Sequence, residues 1–334
     1  MNGTMWSAFL TFVASAFLMT AASIVLTKSI SALGVRWRVS ESLLGIVAAL
    51  AADTPEISAA LIAIAMRQHD VGLGVVLGSN VFKLAGLLGV SALTVGRVHV
   101  GREASLFNGG VNVIATLVAL MLILNWIPPW LALAVFLVLI GPYVLLSGLG
   151  SSPIQRLTLP AAVKAYLAKA LERALGQTGQ ARPPGSIIAL IASAALALAA
   201  VVASSDGAVR SAIALAGGLG RSGAIAGALI IGVLASVPNA LEAALFSRAR
   251  RDVAVVSTTF SSNTLTLLFG MLPAALLFGL GKPSPVILMS ALWLMGMSVY
   301  ALAAVSAPSG LRRREGLILV LLYVAFAAAF ILWR

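Results

Sequence analysis

The sequence predicts an all-α polytopic membrane protein, with ten transmembrane helices as two inverted five-helix repeats and broken helices 2 and 7. Three observations carry this prediction. Of 334 residues, 60% are hydrophobic and only 10% charged, with a mean hydropathy of +1.06. Ten apolar runs alternate with loops whose basic residues fall mainly on one side. Polar motifs recur at a fixed offset between the two halves. A soluble globule carries roughly 25% charged residues, so soluble enzymes, nucleic-acid modules and disordered chains are excluded. The backbone polar groups of a helix are satisfied internally, so helices suit a bilayer. The strict alternation of an outer-membrane barrel is missing from these runs.

Each span needs about 20 mostly apolar residues. The runs are 6–27, 42–66, 71–95, 106–125, 129–148, 186–204, 224–246, 253–279, 285–306 and 316–333. No Lys or Arg precedes the first run, and the first basic residue is Lys28. A signal peptide carries its positive charge before its apolar stretch, so the first run is expected to be a retained helix. Runs 4 and 5 are separated by Trp126, Ile127, Pro128 and Pro129, a tight hairpin. One long polar connection, 150–185, holds Arg156, Lys164, Lys169, Arg173 and Arg182. It divides the chain into a first five-helix repeat (1–149), a basic linker (150–185) and a second five-helix repeat (186–334). Its segment Pro160–Leu175 is expected to form a basic amphipathic helix on the membrane surface.

The net charge is +12. In a membrane protein such an excess belongs to cytoplasmic loops rather than to a nucleic-acid partner. The side reached after run 1 receives Lys28, Arg36, Arg38, Arg97, Arg102, the five linker residues, Arg248, Arg250, Arg251 and Arg312 to Arg314. That is sixteen basic residues, against five on the other side (Arg67, Arg210, Arg221, Lys282 and Arg334). The expected protein is therefore integral to the cell membrane, with both termini outside and the central basic loop cytoplasmic. Five spans is an odd number, so the second unit enters from the opposite side. That is the inverted-repeat plan of many secondary transporters. Cysteine is absent, which removes disulfides and thiolate chemistry.

The repeat is visible in polar residues. Pro55 and Pro238 are 183 apart, and so are Asn80 and Asn263. Ala51-Ala52-Asp53-Thr54-Pro55-Glu56 matches Leu234-Ala235-Ser236-Val237-Pro238-Asn239, and Gly78-Ser79-Asn80 matches Ser261-Ser262-Asn263. A mid-span proline removes a helix hydrogen bond and disfavours α geometry in the residue before it. Helix breaks are thus expected at Thr54-Pro55 and Val237-Pro238, with Thr54 and Ser236 capping the restarted halves. A proline kink alone serves packing. A carboxylate beside the break, with polar residues repeated at matched depth, points instead to an ion site. Asp53, Glu56 and Lys83 each cost about 2.5–3.5 kcal/mol at a helix centre, and ionisable residues there are functional candidates by default. Asp53 and Glu56 share a face if their turn is helical. Lys28-Ser29 and Arg210-Ser211 are matched basic points whose simplest reading is interfacial anchoring.

At these residues the sequence resembles the cation/calcium exchanger superfamily, which includes the sodium/calcium exchangers. Its repeats read G-T-S-x-P-E, then G-S-N-x-F-N or -D. The first repeat here ends in Gly78-Ser79-Asn80-Val81-Phe82-Lys83, and the second in Ser261-Ser262-Asn263-Thr264-Leu265-Thr266. The resemblance implies ten spans and a central ion site made by Asp53, Glu56, Ser79, Asn80, Lys83, Ser236, Asn239, Ser262, Asn263 and Thr266. Glu56, Asp53 and Asn239 are its implied metal ligands. Asn239 stands for the second glutamate, Lys83 and Thr266 for the Asn or Asp pair, and Asp53 for a serine. It also implies transported cations such as Ca2+, Na+ or H+, with no cofactor. A calcium site takes six to eight oxygens, whereas the formal charge of Asp53, Glu56 and Lys83 sums to −1. That balance suits a monovalent cation or a proton.

The leading reading is a secondary cation antiporter with altered selectivity, whose runs 1 and 6 move against a core of runs 2, 3, 7 and 8. Two others stay open: a non-transporting membrane subunit that kept the fold, and a transporter of a small organic solute contacted by Lys83. Protein partners are not specified, and the bilayer is the expected surrounding. Enzyme activity has no support, since His69 and His99 lie apart and no nucleophile elbow or Walker loop occurs. Gly217-Gly218-Leu219-Gly220 lacks the strand that a phosphate loop requires.

Overall fold

A computed structural model describes residues 3–37, 41–149, 186–218, 220 and 222–332. The basic linker with its expected surface helix lies outside the described residues, as do Arg38, Arg221 and Arg334. The chain is nearly all helix. In order it forms α1 (Gly3–Arg36), α2 (Glu41–Ala65), α3 (His69–Val95), α4 (Arg102–Ile123), α5 (Pro129–Leu149), α6 (Ile187–Gly218), α7 (Gly223–Ala235), α8 (Val237–Arg248), α9 (Asp252–Phe278), α10 (Pro285–Ser306) and α11 (Arg313–Leu332). Among the described residues eight helices are long and apolar enough to cross a membrane, or nine if the bent pair α7 and α8 is one span.

α1 and α6 run well past the apolar stretches that predict them, to 34 and 32 residues. At 1.5 Å per residue they are about 50 Å long, against a hydrocarbon core of about 30 Å, so each is long enough to cross with length to spare. Their polar positions are satisfied without ending the helix. Ser204 donates to the Ala200 carbonyl, Arg210 pairs with Asp206 one turn away, and the Ser29 and Ser193 hydroxyls bond across the pair at 2.9 Å.

The expected break in helix 2 is not there. α2 is continuous from Glu41 to Ala65 with Pro55 inside it. Thr54 does not cap; its hydroxyl donates back to the Leu50 carbonyl at 3.1 Å. The physical reason lies in the neighbours. Ser23 of α1 donates to the Ala52 carbonyl and Ser205 of α6 to the Pro55 carbonyl. Serines on adjacent helices commonly serve backbone groups around an intramembrane proline. The second half does bend, by 45° between α7 and α8. The bend sits at Ser236, one residue before the expected site, and Pro238 lies in the first turn of the restarted helix. Ser236 makes no capping bond there, because its hydroxyl is committed elsewhere, as described below.

The structure is punctuated at the 183-residue offset. Arg67 and Arg250 are both left-handed, with φ of 62° and 55°. π-Helical turns follow at Leu84–Gly89 in α3 and Leu267–Met271 in α9. α4 and α10 are each 22 residues long. A two-residue antiparallel ladder, β1 (Arg97–Val98) with β2 (Leu311–Arg312), ties the halves together at one end. There Arg250 donates to the Val95 carbonyl and the His99 amide to Asp252. Three of the basic clusters assigned to one side thus meet at one end of the molecule.

α3 and α7 cross through glycine. A Cβ on Gly78 would collide with the Ala228 backbone, and one on Gly227 with the Val71 carbonyl. Backbones come this close only where small residues line both helices. Gly78→Ala is therefore expected to cost about 1–3 kcal/mol by overpacking, read as a lower unfolding temperature in detergent. Gly110→Ala, where a Cβ meets nothing within 4 Å, leaves that temperature unchanged or raises it.

Candidate functional site

α2 carries Asp53 and Glu56 three residues apart, both fully buried. Continuity of the helix through Pro55 puts the two carboxylates on one face. α3 brings Lys83, also fully buried, at the last residue before its π turn. α9 brings Thr266 to the equivalent place before the second π turn. The bend between α7 and α8 supplies Ser236 and Asn239.

These side chains meet. The Lys83 ammonium lies 2.5 Å from Glu56 Oε2 and 3.1 Å from Asp53 Oδ1, and donates to Thr266 Oγ1 at 2.9 Å. Its three N–H groups thus face three acceptors. Glu56 Oε1 accepts from Ser236 Oγ at 2.8 Å and Asn239 Nδ2 at 3.5 Å, and Oε2 accepts from Thr266 Oγ1 at 3.2 Å. Asp53 Oδ1 accepts from Ser262 Oγ at 2.5 Å and Asn239 Nδ2 at 2.9 Å. Lys83 thus bridges both carboxylates.

Not every expected residue joins this cluster. Ser79 turns its hydroxyl to the Val76 carbonyl of its own helix. Asn80 and Asn263 bond each other's backbones instead. Asn80 Nδ2 donates to the Asn263 carbonyl at 3.2 Å, and Asn263 Nδ2 to the Asn80 carbonyl at 3.3 Å. This reciprocal pair fixes α3 against α9 beside the charged cluster. Thr54, Pro55, Val237 and Pro238 contribute backbone shape rather than side-chain contacts to the cluster.

Four buried oxygens here have no partner among the described residues: Asp53 Oδ2, Asn239 Oδ1, Asn80 Oδ1 and Asn263 Oδ1. All four are acceptors. A buried unpaired acceptor costs about 1–3 kcal/mol, and a donor-poor group of oxygens is what a cation satisfies. Two carboxylates against one ammonium leave a formal charge of −1 in the cluster.

Glu242 is not among the residues that the repeat comparison marks, because Ala59 stands at the matching position of the first repeat. The structure puts it on α8 one turn beyond Asn239, where it is partly buried. Asn112 of α4 was also passed over. It is fully buried with both side-chain polar atoms unpartnered. The available signal was an asparagine pair, Asn108 and Asn112, four residues apart inside an apolar run.

Comparison with known proteins agrees with this geometry. No curated protein matches the chain. Among solved structures it is similar to the H+/Ca2+ exchanger CAX, at a TM-score of 0.70 and 17% identity over 95% of this chain and 81% of that one. It is similar to YfkE, at 0.66 and 15% over 96% and 92%. It is similar also to the sodium-calcium exchanger NCX_Mj, at 0.60 and 17% over 99% and 100%. At these identities the likeness establishes the fold. The model of the family described as sodium/calcium exchanger protein matches residues 7–149 and 189–332, nearly the whole chain in two blocks. A chain with two such blocks and buried carboxylates where they meet belongs to the sodium/calcium exchanger protein family.

Proposed function

We propose that this protein is a secondary active cation antiporter, working by alternating access, whose selectivity is reset by Lys83. The observation that carries the reading is the Lys83 ammonium seated between Asp53, Glu56 and Thr266, with unpaired acceptor oxygens around it. A transported cation takes the carboxylates when the ammonium withdraws, and Lys83 returns when the cation leaves. The two carboxylates are therefore never bare together, which in a low-dielectric interior would cost several kcal/mol per charge. Asp53, Glu56 and Asn239 bind the ion. Ser236, Ser262 and Thr266 orient the carboxylates, Asn80 and Asn263 hold the flanking helices together, and Ser79 lies beside them on α3. The exchanged ions are H+ or Na+ in preference to Ca2+, because a site of net −1 holding a tethered cation disfavours a divalent one.

The rest of the reading follows the repeat. Residues 1–149 and 186–334 are two inverted five-helix units, each with five spans once α5 is counted, joined by a cytoplasmic linker. Both termini are outside. α1 and α6 pack along each other, and they are the elements that rock against the core.

Flux in proteoliposomes under sodium, proton and calcium gradients is the test. Sodium- or proton-coupled movement with little calcium flux is expected, and calcium exchange as fast as sodium or proton movement overturns the role given to Lys83. Glu56→Gln is expected to abolish coupled transport, and unchanged flux removes Glu56 from the mechanism. Lys83→Ala leaves two carboxylates unpaired and is expected to cost about 3–5 kcal/mol of stability. Calcium should restore the lost unfolding temperature and bind at least about tenfold more tightly than to the parent, equivalent to 1.4 kcal/mol. A second reading is favoured by the saturation of the ammonium by three acceptors. In it Lys83 seals a retired site in a non-transporting subunit, and the absence of flux for any cation from a folded protein decides for it.

A further inference from the structure

The two repeats differ most sharply just beyond the ion cluster. On α2 the stripe that continues from Glu56 reads Ala59, Ala60, Ala63 and Ile64, each fully buried. Ile64 packs over Gly72 at the start of α3, where a Cβ would strike its side chain. This flank is apolar and closed. The matching stripe of α8 reads Asn239, Glu242, Ala243, Phe246 and Ser247. These positions lie on one helical face by their i, i+3, i+4, i+7 spacing. Asn239, Ala243 and Ser247 are buried, while Glu242 and Phe246 are partly open. Leu241 and Leu245 point away, at 51% and 66% exposure.

The polar atoms on this stripe lack partners. Asn239 Oδ1 and Ser247 Oγ are buried with none, and no described basic residue pairs with Glu242. A carboxylate inside a span is tolerated where it faces a cavity or a path for ions. Glu242 sits about 4.5 Å along the axis from Asn239, and Ser247 about 12 Å, at 1.5 Å per residue. The stripe ends at Arg248, at the end of the molecule where Arg250 meets Val95.

We propose that Glu242 is a second cation-binding carboxylate, which receives the ion from the Arg248 end and passes it to Asp53 and Glu56. The inference rests on the antiporter reading for the hand-over, but its binding and access claims stand alone. A cation at Glu242 has the unpaired Asn239 Oδ1 one turn inward, and the unpaired Ser247 Oγ lies further along the stripe toward the outer end. The α2 flank has no such station, since Ala59 occupies the position equivalent to Glu242. Entry at the Arg248 end is therefore assisted by a fixed charge, and entry at the other end is not.

The lack of native cysteine makes a direct test available. Single-cysteine variants Glu242→Cys, Ala59→Cys and Ala249→Cys are treated with a membrane-impermeant cationic methanethiosulfonate in spheroplasts and in inside-out vesicles. Ala249→Cys marks which preparation exposes the Arg248 end. Glu242→Cys is expected to react in that preparation, and Ala59→Cys to stay unreactive there. Sodium binding is then measured by calorimetry on purified parent and Glu242→Gln protein. The isosteric variant is expected to weaken binding at least fivefold while keeping the parent's unfolding temperature. Inertness of Glu242→Cys, equal reaction of Ala59→Cys, or unchanged sodium binding in Glu242→Gln overturns the proposal. None of these readouts requires transport, so a parent without flux sinks the antiporter reading and leaves this one to its own result.

Discussion

A lysine ammonium buried between two carboxylates sets the terms for everything around it. Three formal charges lie out of water, and each demands partners that water would otherwise supply. The fold delivers those partners from five helices. α2 gives both carboxylates, α3 the ammonium, the bend between α7 and α8 gives Ser236 and Asn239, and α9 gives Ser262 and Thr266. To bring five helices to one point, two of them must cross at backbone contact, and the glycines of α3 and α7 allow it. The charge cluster and the glycine crossing are therefore one design.

The same cluster explains why α2 stays whole. A break at Pro55 would free carbonyls but turn Asp53 and Glu56 away from a common face. With serines of α1 and α6 bonding the carbonyls near Pro55, the helix keeps both acids aimed at Lys83. In the second half the equivalent positions are Ser236 and Asn239, which are neutral. There the chain bends, and the Ser236 hydroxyl is shared between Glu56 and the Gly232 carbonyl rather than used on a helix cap. The repeats share a register but divide the labour, one holding charge and the other holding the hydrogen bonds that orient it.

Much of this was legible in the amino-acid sequence because bilayer physics is blunt. Apolar length marked where most of the long helices run, and the shared Pro-to-Asn spacing pointed at residues that the structure brings together. Three things were not legible. The continuity of α2 depended on Ser23 and Ser205, which lie 29 or more residues away and carry no mark of their purpose. Asn80 and Asn263 look like ligands in the chain, but only the crossing of α3 with α9 shows that their amides are used on each other's backbones. Glu242 has only Ala59 at the matching position of the first repeat, so the comparison of the halves does not mark it.

The reciprocal bonds of Asn80 and Asn263 have the symmetry of a handshake. Each gives what it receives, as two copies of one half-length chain would if turned through a half-circle and set face to face. Such a pair of identical halves would have to repeat every feature, including a lysine and two acids from each. Two ammonium groups would then compete for one centre, and any leaning of the ion path toward one end would be forbidden by symmetry. Joining the halves in a single chain lifts that prohibition. One copy keeps Lys83 while the other carries Thr266, and one flank keeps Ala59 while the other carries Glu242, so a direction can be written into a molecule whose framework has none.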